Sequence, residues 1–120
     1  MNKAETAVAK GVAYLDQERP EWEWEIDLMT LDIADGQCCI MGQLAGSFRD
    51  GIKAIPPRDI LNTYAWVSEH GFDVMLSLES RCSVKRASDA LTEAWRAAIE
   101  ERRAQTLLRN LSVRIAEAKE

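Results

Sequence analysis

Residues 35–48 read DGQCCIMGQLAGSF, and within this stretch the small residues Cys38, Gly42 and Gly46 recur at helical spacing among large apolar side chains. A glycine costs a helix about 1 kcal/mol relative to alanine, so two glycines in one short helix indicate that another backbone approaches closely. Asp35 is a residue type that favours the N-cap position. We therefore predict one helix here, packed tightly against the rest of the fold at Cys38, Gly42 and Gly46.

Three further helical patterns surround this stretch. Asn2–Gln17 places small and apolar residues on one side at about 100° per residue and stops before a proline. Residues 58–70 follow a Pro-Pro connector and end at Gly71, the residue type that most often closes a helix. The longest pattern begins at Ser83 or Ser88 and continues towards the C-terminus.

Two segments predict β structure. Residues 26–33 fit either a short strand or a covering loop, and residues 72–78 carry branched aliphatic side chains at every second position, as a half-buried strand does. We therefore predict a mainly helical α+β fold, with three to four helices and a short two-stranded β element.

The length of 120 residues predicts one domain, which we place at residues 1–104. In residues 105–120 the apolar face rotates by more than a quarter turn from the face that contains Trp95. Either the helix kinks near Ala104, or its distal half packs against something else. A second copy of the chain is the natural occupant, which gives four candidate oligomer contacts: Leu107, Leu108, Leu111 and Ile115.

The composition indicates a globular protein, with 47% hydrophobic and 29% charged residues. No apolar run approaches the roughly 18 residues of a membrane span, and residues 1–5 lack the pattern of a secretion signal. We therefore expect no membrane contact and a cytoplasmic location. Three cysteines, two of them adjacent, form a poor disulfide framework, so reduced thiols are expected.

The net charge of −5 conceals an asymmetry along the chain. Residues 1–36 contain three basic and nine acidic side chains, whereas residues 81–120 contain nine basic and six acidic ones. Either the acidic N-terminal segment lies against the basic C-terminal helix within one molecule, or each end presents a field to a partner. We favour the first interpretation.

The sequence offers few candidates for chemistry. Cys38, Cys39, Cys82 and His70 are metal-ligand types, but they form no C-x-x-C pair. Cys39 near a helix N-terminus, with His70 as a base, would suit a thiol nucleophile. The surrounding small and apolar residues favour a buried thiol instead. We therefore predict no catalytic residue, no metal and no cofactor.

Tryptophans are the better candidates for contacts with a partner. Trp22 and Trp24 alternate with glutamates, so on a strand both indoles would share one face. They would either cover the core or form an acidic, aromatic binding surface. On the predicted 58–70 helix, Trp66 lies one turn from His70 and away from the main apolar face. The partner-binding candidates are therefore Trp22, Trp24, Trp66 and His70.

Nucleic-acid binding has one feature in its favour, a row of basic residues on one face of the last helix: Lys85, Arg96, Arg103 and Arg114. Acidic residues at spacings that form intrahelical ion pairs accompany this row, as Glu93 does for Arg96 and Glu100 for Arg103. The sequence pI is near 5.0. We therefore expect a solvated, ion-paired face and no nucleic-acid partner.

The chain carries a series of short motifs: Gly11-Val-Ala-x-Leu15-Asp16, Arg19-Pro20-x-Trp22, Ile26-Asp27-Leu28-x-x-Leu31-Asp32-Ile33 and Cys39-x-x-Gly42-Gln43-Leu44-x-Gly46. The series continues through His70-Gly71-Phe72 and Leu91–Trp95. In this order the motifs resemble those of small proteins from actinobacterial phages and their hosts. That pattern carries one cysteine before Gly-Gln-Leu, whereas this chain also has Cys38. The resemblance implies a phage or prophage accessory protein.

Together these observations predict a phage-type accessory protein that acts in the host cytoplasm by non-catalytic binding of another host or phage protein, and that forms a homodimer through its C-terminal extension. Two alternatives from other classes stay open. One is a nucleic-acid-associated regulator that uses the basic row, and the other is a thiol- or metal-dependent enzyme that uses Cys39.

Overall fold

The computed structural model describes residues 2–53, 60–73 and 81–118. Within these ranges the chain forms five α-helices and one 3₁₀ turn at Trp22–Trp24. The α-helices are α1 (Lys3–Glu18), α2 (Ile40–Ala45), α3 (Phe48–Lys53), α4 (Ile60–Glu69) and α5 (Arg81–Ala118).

Helix α1 forms where the sequence predicts it. Its N-cap is Asn2, whose side-chain oxygen accepts a hydrogen bond of 2.8 Å from the Glu5 backbone N–H. Gly11 lies at its closest approach to the rest of the fold, because a Cβ atom there would lie 2.7 Å from the Trp95 ring and would overlap the His70 carbonyl oxygen. A glycine at this position therefore lets α1 pack directly on α5.

The predicted two-stranded β element is wrong. The residues that the structure describes contain no strand, and 26–33 form a loop. The other predicted strand, 72–78, lies outside the described residues beyond Asp73. In the loop and the turn that follows it, three aspartates each accept a hydrogen bond from the backbone N–H two residues further on, which replaces strand pairing with local turns. The pairs are Asp27 with Met29, Asp32 with Ala34, and Asp35 with Gln37.

The side-chain amide of Gln43 fastens this loop to α2. Its Oε1 accepts from the Asp27 backbone N–H at 2.5 Å, and its Nε2 donates to the Asp27 carbonyl oxygen at 3.1 Å and to the Cys38 carbonyl oxygen at 2.9 Å. The loop is also held against α5, because the Ile33 N–H donates to Thr92 Oγ1 at 3.0 Å in a buried contact. These bonds give the loop a defined path without a sheet.

The single helix predicted in residues 35–48 is instead two short helices, α2 and α3. Gly46 separates them because its φ of +97° places it in the left-handed region, where α2 ends. The N-cap of α2 is Cys39 and not Asp35, since Cys39 Sγ accepts from the Gly42 N–H at 3.2 Å. Asp35 caps the preceding turn, with its side chain accepting from the Gln37 N–H at 2.8 Å.

Gly42 and Gly46 have different surroundings. A Cβ atom at Gly42 would lie 2.5 Å from the Gly36 carbonyl oxygen, so the backbone that approaches belongs to the turn just before α2. A Cβ atom at Gly46 would meet nothing within 4 Å. Gly46 is therefore needed for its backbone conformation, whereas Gly42 is needed for space. Cys38 is half-buried beside the same turn.

The core is a row of aromatic rings between α1, α4 and α5. It runs from Trp22 through Trp95 and Phe72 to Trp66, with ring centroids 5.8, 5.4 and 5.9 Å apart. Trp95 lies in the middle with no exposed surface, and its Nε1–H donates to the Gly71 carbonyl oxygen at 2.6 Å. Helix α5 thus supplies the centre of the core.

Candidate interaction surface

Helix α5 is much longer than the body that it supports. Its 38 residues correspond to about 57 Å at 1.5 Å per residue, close to the longest dimension of the molecule, 61 Å. Every residue from 107 to 117 is exposed. We call residues 105–118 the tail. The helix passes Ala104 and Gln105 without interruption, so the change in its apolar face is not caused by a break in the helix.

The tail presents large apolar side chains to solvent on one face. Leu107, Leu108, Leu111 and Ile115 are 59, 64, 54 and 48% exposed and fall within an arc of about 100°. This arc points about 170° away from the arc of Leu91, Trp95 and Ile99, which α5 buries in the core. The apolar face therefore cannot fold back onto the body that α5 supports.

Val113 provides a useful contrast in the same tail. It is 51% exposed but lies two residues, or about 200°, from Leu111. It is in line with Trp95, which is five helical turns earlier. Exposure alone therefore does not distinguish the two residues, whereas position on the helix does.

A groove of about 760 Å³ lies between α1 and α5. Of its α5 residues, Ala90 and Ala97 point in the same direction around the helix as the apolar face of the tail. Half of its α5 wall consists of alanines, Ala90, Ala94, Ala97 and Ala98, and its α1 wall includes Ala9 and Val12. The charged residues that line it are Glu5, Glu93, Glu101 and Arg102.

Arg102 is not available to a ligand, because it is paired within the fold. Its guanidinium donates to both carboxylate oxygens of Asp16 at 2.6 and 2.9 Å. Asp16 also accepts from the Trp22 indole N–H at 3.0 Å. The hydrogen bond from Arg102 is the largest cause of a lowered pKa at Asp16. The acidic N-terminal segment therefore lies against the basic helix within one molecule, as we favoured from the charge pattern.

The row of basic residues on α5 is largely used inside the fold. Arg103 donates to the carbonyl oxygens of Glu23 at 2.8 Å and Ile26 at 2.5 Å. Arg96 is paired with Glu93 and lies 3.4 Å from the Leu28 carbonyl oxygen. Lys85, the first residue of the row, forms an ion pair with Asp89 at 3.0 Å. The last residue, Arg114, is exposed in the tail.

Trp22 and Trp24 do not share a face. They lie in a 3₁₀ turn, where residues two apart point in different directions. Trp22 has no exposed surface and belongs to the core, which removes it from the candidate partner contacts. Trp24 is 45% exposed, and the Arg103 guanidinium lies 5.3 Å from its ring centroid in a cation–π contact.

Trp66 and His70 form a stacked pair at the end of α4. Their ring centroids are 3.8 Å apart, and Tyr14 meets Trp66 edge-on at 4.7 Å. His70 Nδ1 lies 2.8 Å from the Trp66 carbonyl oxygen, so this nitrogen carries the proton and donates it. Burial, followed by the charge of Glu18, raises the pKa of Tyr14. The pair is half-buried and packs as an extension of the aromatic core.

The two cysteines whose side chains the structure describes, Cys38 and Cys39, show no sign of activation. Burial raises the pKa of the Cys39 thiol, and its sulfur is occupied as the N-cap of α2. Burial, followed by the charge of Asp35, raises the pKa of Cys38. Across residues 2–53, 60–73 and 81–118, no three side chains of metal-binding type form a group that could hold an ion. Cys82 has no described side chain.

No family model, curated protein or solved structure matches this chain. Among the helices that the structure describes, none has an apolar stretch long enough to cross a bilayer.

Sequence reasoning missed two features of this surface. The alanines at 90, 94 and 97 follow a spacing of four and three residues that continues into Leu108, Leu111 and Ile115. Alanine is common in helices, so these three alanines alone do not indicate a contact surface. The spacing can be recognised as one stripe only when it is followed into the tail. The pairing of Arg102 with Asp16 joins residues 86 positions apart, and no local pattern predicts it.

Proposed function

We propose that this chain acts by binding protein, without catalysis, through the apolar face of its tail. The observation that carries the proposal is the group Leu107, Leu108, Leu111 and Ile115, four large apolar side chains about half exposed on a helix that extends beyond its own core. Contiguous exposed apolar surface of this kind marks interaction sites. Burying one such side chain is worth about 1.5–3 kcal/mol.

The arrangement favours a folded helical partner surface. A helix in a groove or against another helix is recognised by apolar residues at spacings of three and four, which is the spacing of Leu108, Leu111 and Ile115. The tail continues the helix that contains Trp95, so its face is presented in a fixed direction. A preorganised helix loses little conformational entropy when it binds.

The two alternatives, a nucleic-acid-associated regulator and a thiol- or metal-dependent enzyme, receive less support. A phosphate-binding face needs free cations, and Arg96 and Arg103 are used within the fold. A thiol enzyme needs a thiolate, and burial raises the pKa of Cys39. The resemblance to actinobacteriophage accessory proteins supports a setting in the cytoplasm of an infected or lysogenic bacterium, where the partner would be a host or phage protein.

Photo-cross-linking in cells tests this function. A chain with p-benzoyl-L-phenylalanine in place of Leu111 is compared with one that carries it in place of Val113, a residue of equal exposure on the opposite face. We expect protein adducts from position 111 that are several times more abundant than those from position 113. Adducts with nucleic acid alone, or equal yields from both positions, would overturn the proposal.

A further inference from the structure

The apolar face of the tail continues along the whole of α5. Positions 90, 94, 97, 101, 104, 108, 111 and 115 follow one another at alternating intervals of four and three residues, the spacing of a heptad stripe. The first part of this stripe is made of alanines and its last part of leucine and isoleucine, with Glu101 and Ala104 between them. We call it the α5 stripe.

From this stripe we infer that the occupant of the surface is a second copy of the chain, with the two α5 helices antiparallel. The inference rests on the proposed protein-binding function and names its partner. The intervals of the stripe read the same in both directions, so it superimposes on itself when reversed. In this register the residue numbers of two facing positions sum to 205. Leu108 thereby faces Ala97, Leu111 faces Ala94, and Ile115 faces Ala90.

Side-chain size favours this register. Every large residue of the tail faces an alanine of the other copy, so each leucine enters a space left by a small side chain. Ala90 and Ala97 are exposed and Ala94 is half-exposed, so these positions are accessible before association. The same alanines line the groove between α1 and α5, which gives the tail of the second copy a second wall at Ala9 and Val12.

A parallel arrangement of the two α5 helices would bury less apolar surface with the same residues. It would pair Leu108 with Leu108 in the tail but Ala97 with Ala97 in the body. The groove between α1 and α5 would then stay empty, and only the tails would bury apolar surface. The antiparallel arrangement fills two grooves, one on each copy. Its twofold axis passes near residues 102 and 103, and because a twofold interface uses the same surface of both copies, the assembly is limited to a dimer.

Charge favours the antiparallel register as well. Glu93 flanks the stripe in the body and Arg114 flanks it in the tail, and on reversed helices these two positions lie side by side across the interface. The Glu93 carboxylate, which pairs with Arg96 in its own helix, is 70% exposed and so can also meet Arg114 of the second copy. The groove is lined by Glu5, Glu93 and Glu101 and by Arg102, which Asp16 neutralises, whereas the tail carries Arg109 and Arg114 against the single acid Glu117. Opposite charges therefore meet at both ends. Near the axis, Glu101 is a polar residue within the stripe, a feature that restricts the register at some cost in stability.

Cross-link mapping on the purified full-length chain tests the register. With p-benzoyl-L-phenylalanine in place of Leu108, the antiparallel dimer should form an adduct to the tryptic peptide 97–102 of the other copy. A probe in place of Ile115 should form an adduct to the peptide 87–96. A mixture of light and heavy nitrogen-labelled chains identifies the adducts that join two copies. Adducts to 104–109 from position 108 would instead show a parallel pair and overturn the inference.

A charge exchange gives an independent readout that needs no probe. Glu93→Arg and Arg114→Glu should each weaken the dimer about fivefold, as measured by sedimentation equilibrium, and the double variant should recover most of the loss. No recovery in the double variant would contradict the register. Circular dichroism of each variant confirms that the helices are retained.

The outcomes separate this inference from the proposed function. A purified chain that stays monomeric at all concentrations, while position 111 still yields protein adducts in cells, would refute the second copy as occupant and leave protein binding intact. Absence of both would refute both.

Discussion

Arg102 of α5 and Asp16 of α1 are joined by two hydrogen bonds, of 2.6 and 2.9 Å, that use both oxygens of the carboxylate. This pair lies where α5 leaves the body, five residues before the fully exposed segment begins at Leu107. It therefore fixes the position of α1 relative to the start of the tail. The same carboxylate accepts the Trp22 indole N–H, so one acidic group joins α1, α5 and the 3₁₀ turn at Trp22–Trp24.

Asp16→Asn should destabilise the fold by about 1 kcal/mol at pH 7, because the pair is about one-third exposed and solvent screens it. The pKa of Asp16 is lowered in the folded state from its ordinary value of 3.8. The stabilisation that ionised Asp16 gives the folded state is therefore complete above its ordinary pKa of 3.8, and it is lost as the pH falls through the lowered pKa of the folded state. Urea unfolding at pH 7, 4 and 3 should show the difference between wild type and variant shrinking with acidity. A difference that stays constant over this range would contradict the pairing.

Arg103→Ala should loosen the loop that contains Trp24. Two charge-assisted hydrogen bonds to the carbonyl oxygens of Glu23 and Ile26 would be lost, at a cost of about 2 kcal/mol. Hydrogen exchange of residues 21–28 should accelerate, while that of α1 should change little. Arg109→Ala is the matched control, since it removes an exposed arginine from the tail. Equal effects of the two substitutions would show that Arg103 does not hold the loop.

Gly11→Ala should destabilise the protein by about 2 kcal/mol, because its Cβ would be 2.7 Å from the Trp95 ring. In an open helix the same change stabilises by about 1 kcal/mol, so the sign of the effect is diagnostic. Gly36→Ala serves as a control, since its Cβ would have only an ordinary contact of 3.8 Å with Phe48 Cβ. Thermal melting of both variants gives the comparison, and a Gly11→Ala protein as stable as wild type would contradict the close packing of α1 on α5.

Much of the helical framework could be predicted from the sequence. The period of apolar residues and the proline at position 20 predicted α1 to within one residue at each end. Gly71, which has a φ of +74°, marked the end of α4. These features are local, so a single sequence contains them.

The loop from Ile26 to Ile33 shows why the rest was harder. Its apolar residues suit a strand, but Asp27, Asp32 and Asp35 accept backbone N–H groups two residues on and so favour turns. The aspartates were visible in the sequence, whereas the partners that complete the loop, Gln43 and Thr92, are 16 and 59 residues from the positions they bind. The rotation of the tail's apolar face could be predicted from the phase of its residues, whereas the unbroken helix that leaves this face exposed required the structure.

Cys39 should behave as a structural thiol. Cys39→Ala should cost about 1 kcal/mol by removing the N-cap of α2, whereas Cys39→Ser should restore most of the loss because a hydroxyl can accept from the Gly42 N–H. Because its pKa is raised and the residue is buried, Cys39 should resist iodoacetamide at pH 7 until the protein unfolds. Peptide mapping of the alkylated protein measures this. Rapid alkylation of Cys39 in the folded protein would revive the thiol-enzyme interpretation.

Light scattering of three purified chains shows whether the apolar face of the tail is a self-association surface. The wild type and Val113→Glu should both have the mass of a dimer, because Val113 lies on the opposite face at nearly the same exposure as Leu111. Leu111→Glu should be a folded monomer. A monomeric wild type at every concentration, or equal dissociation by both substitutions, would contradict the account.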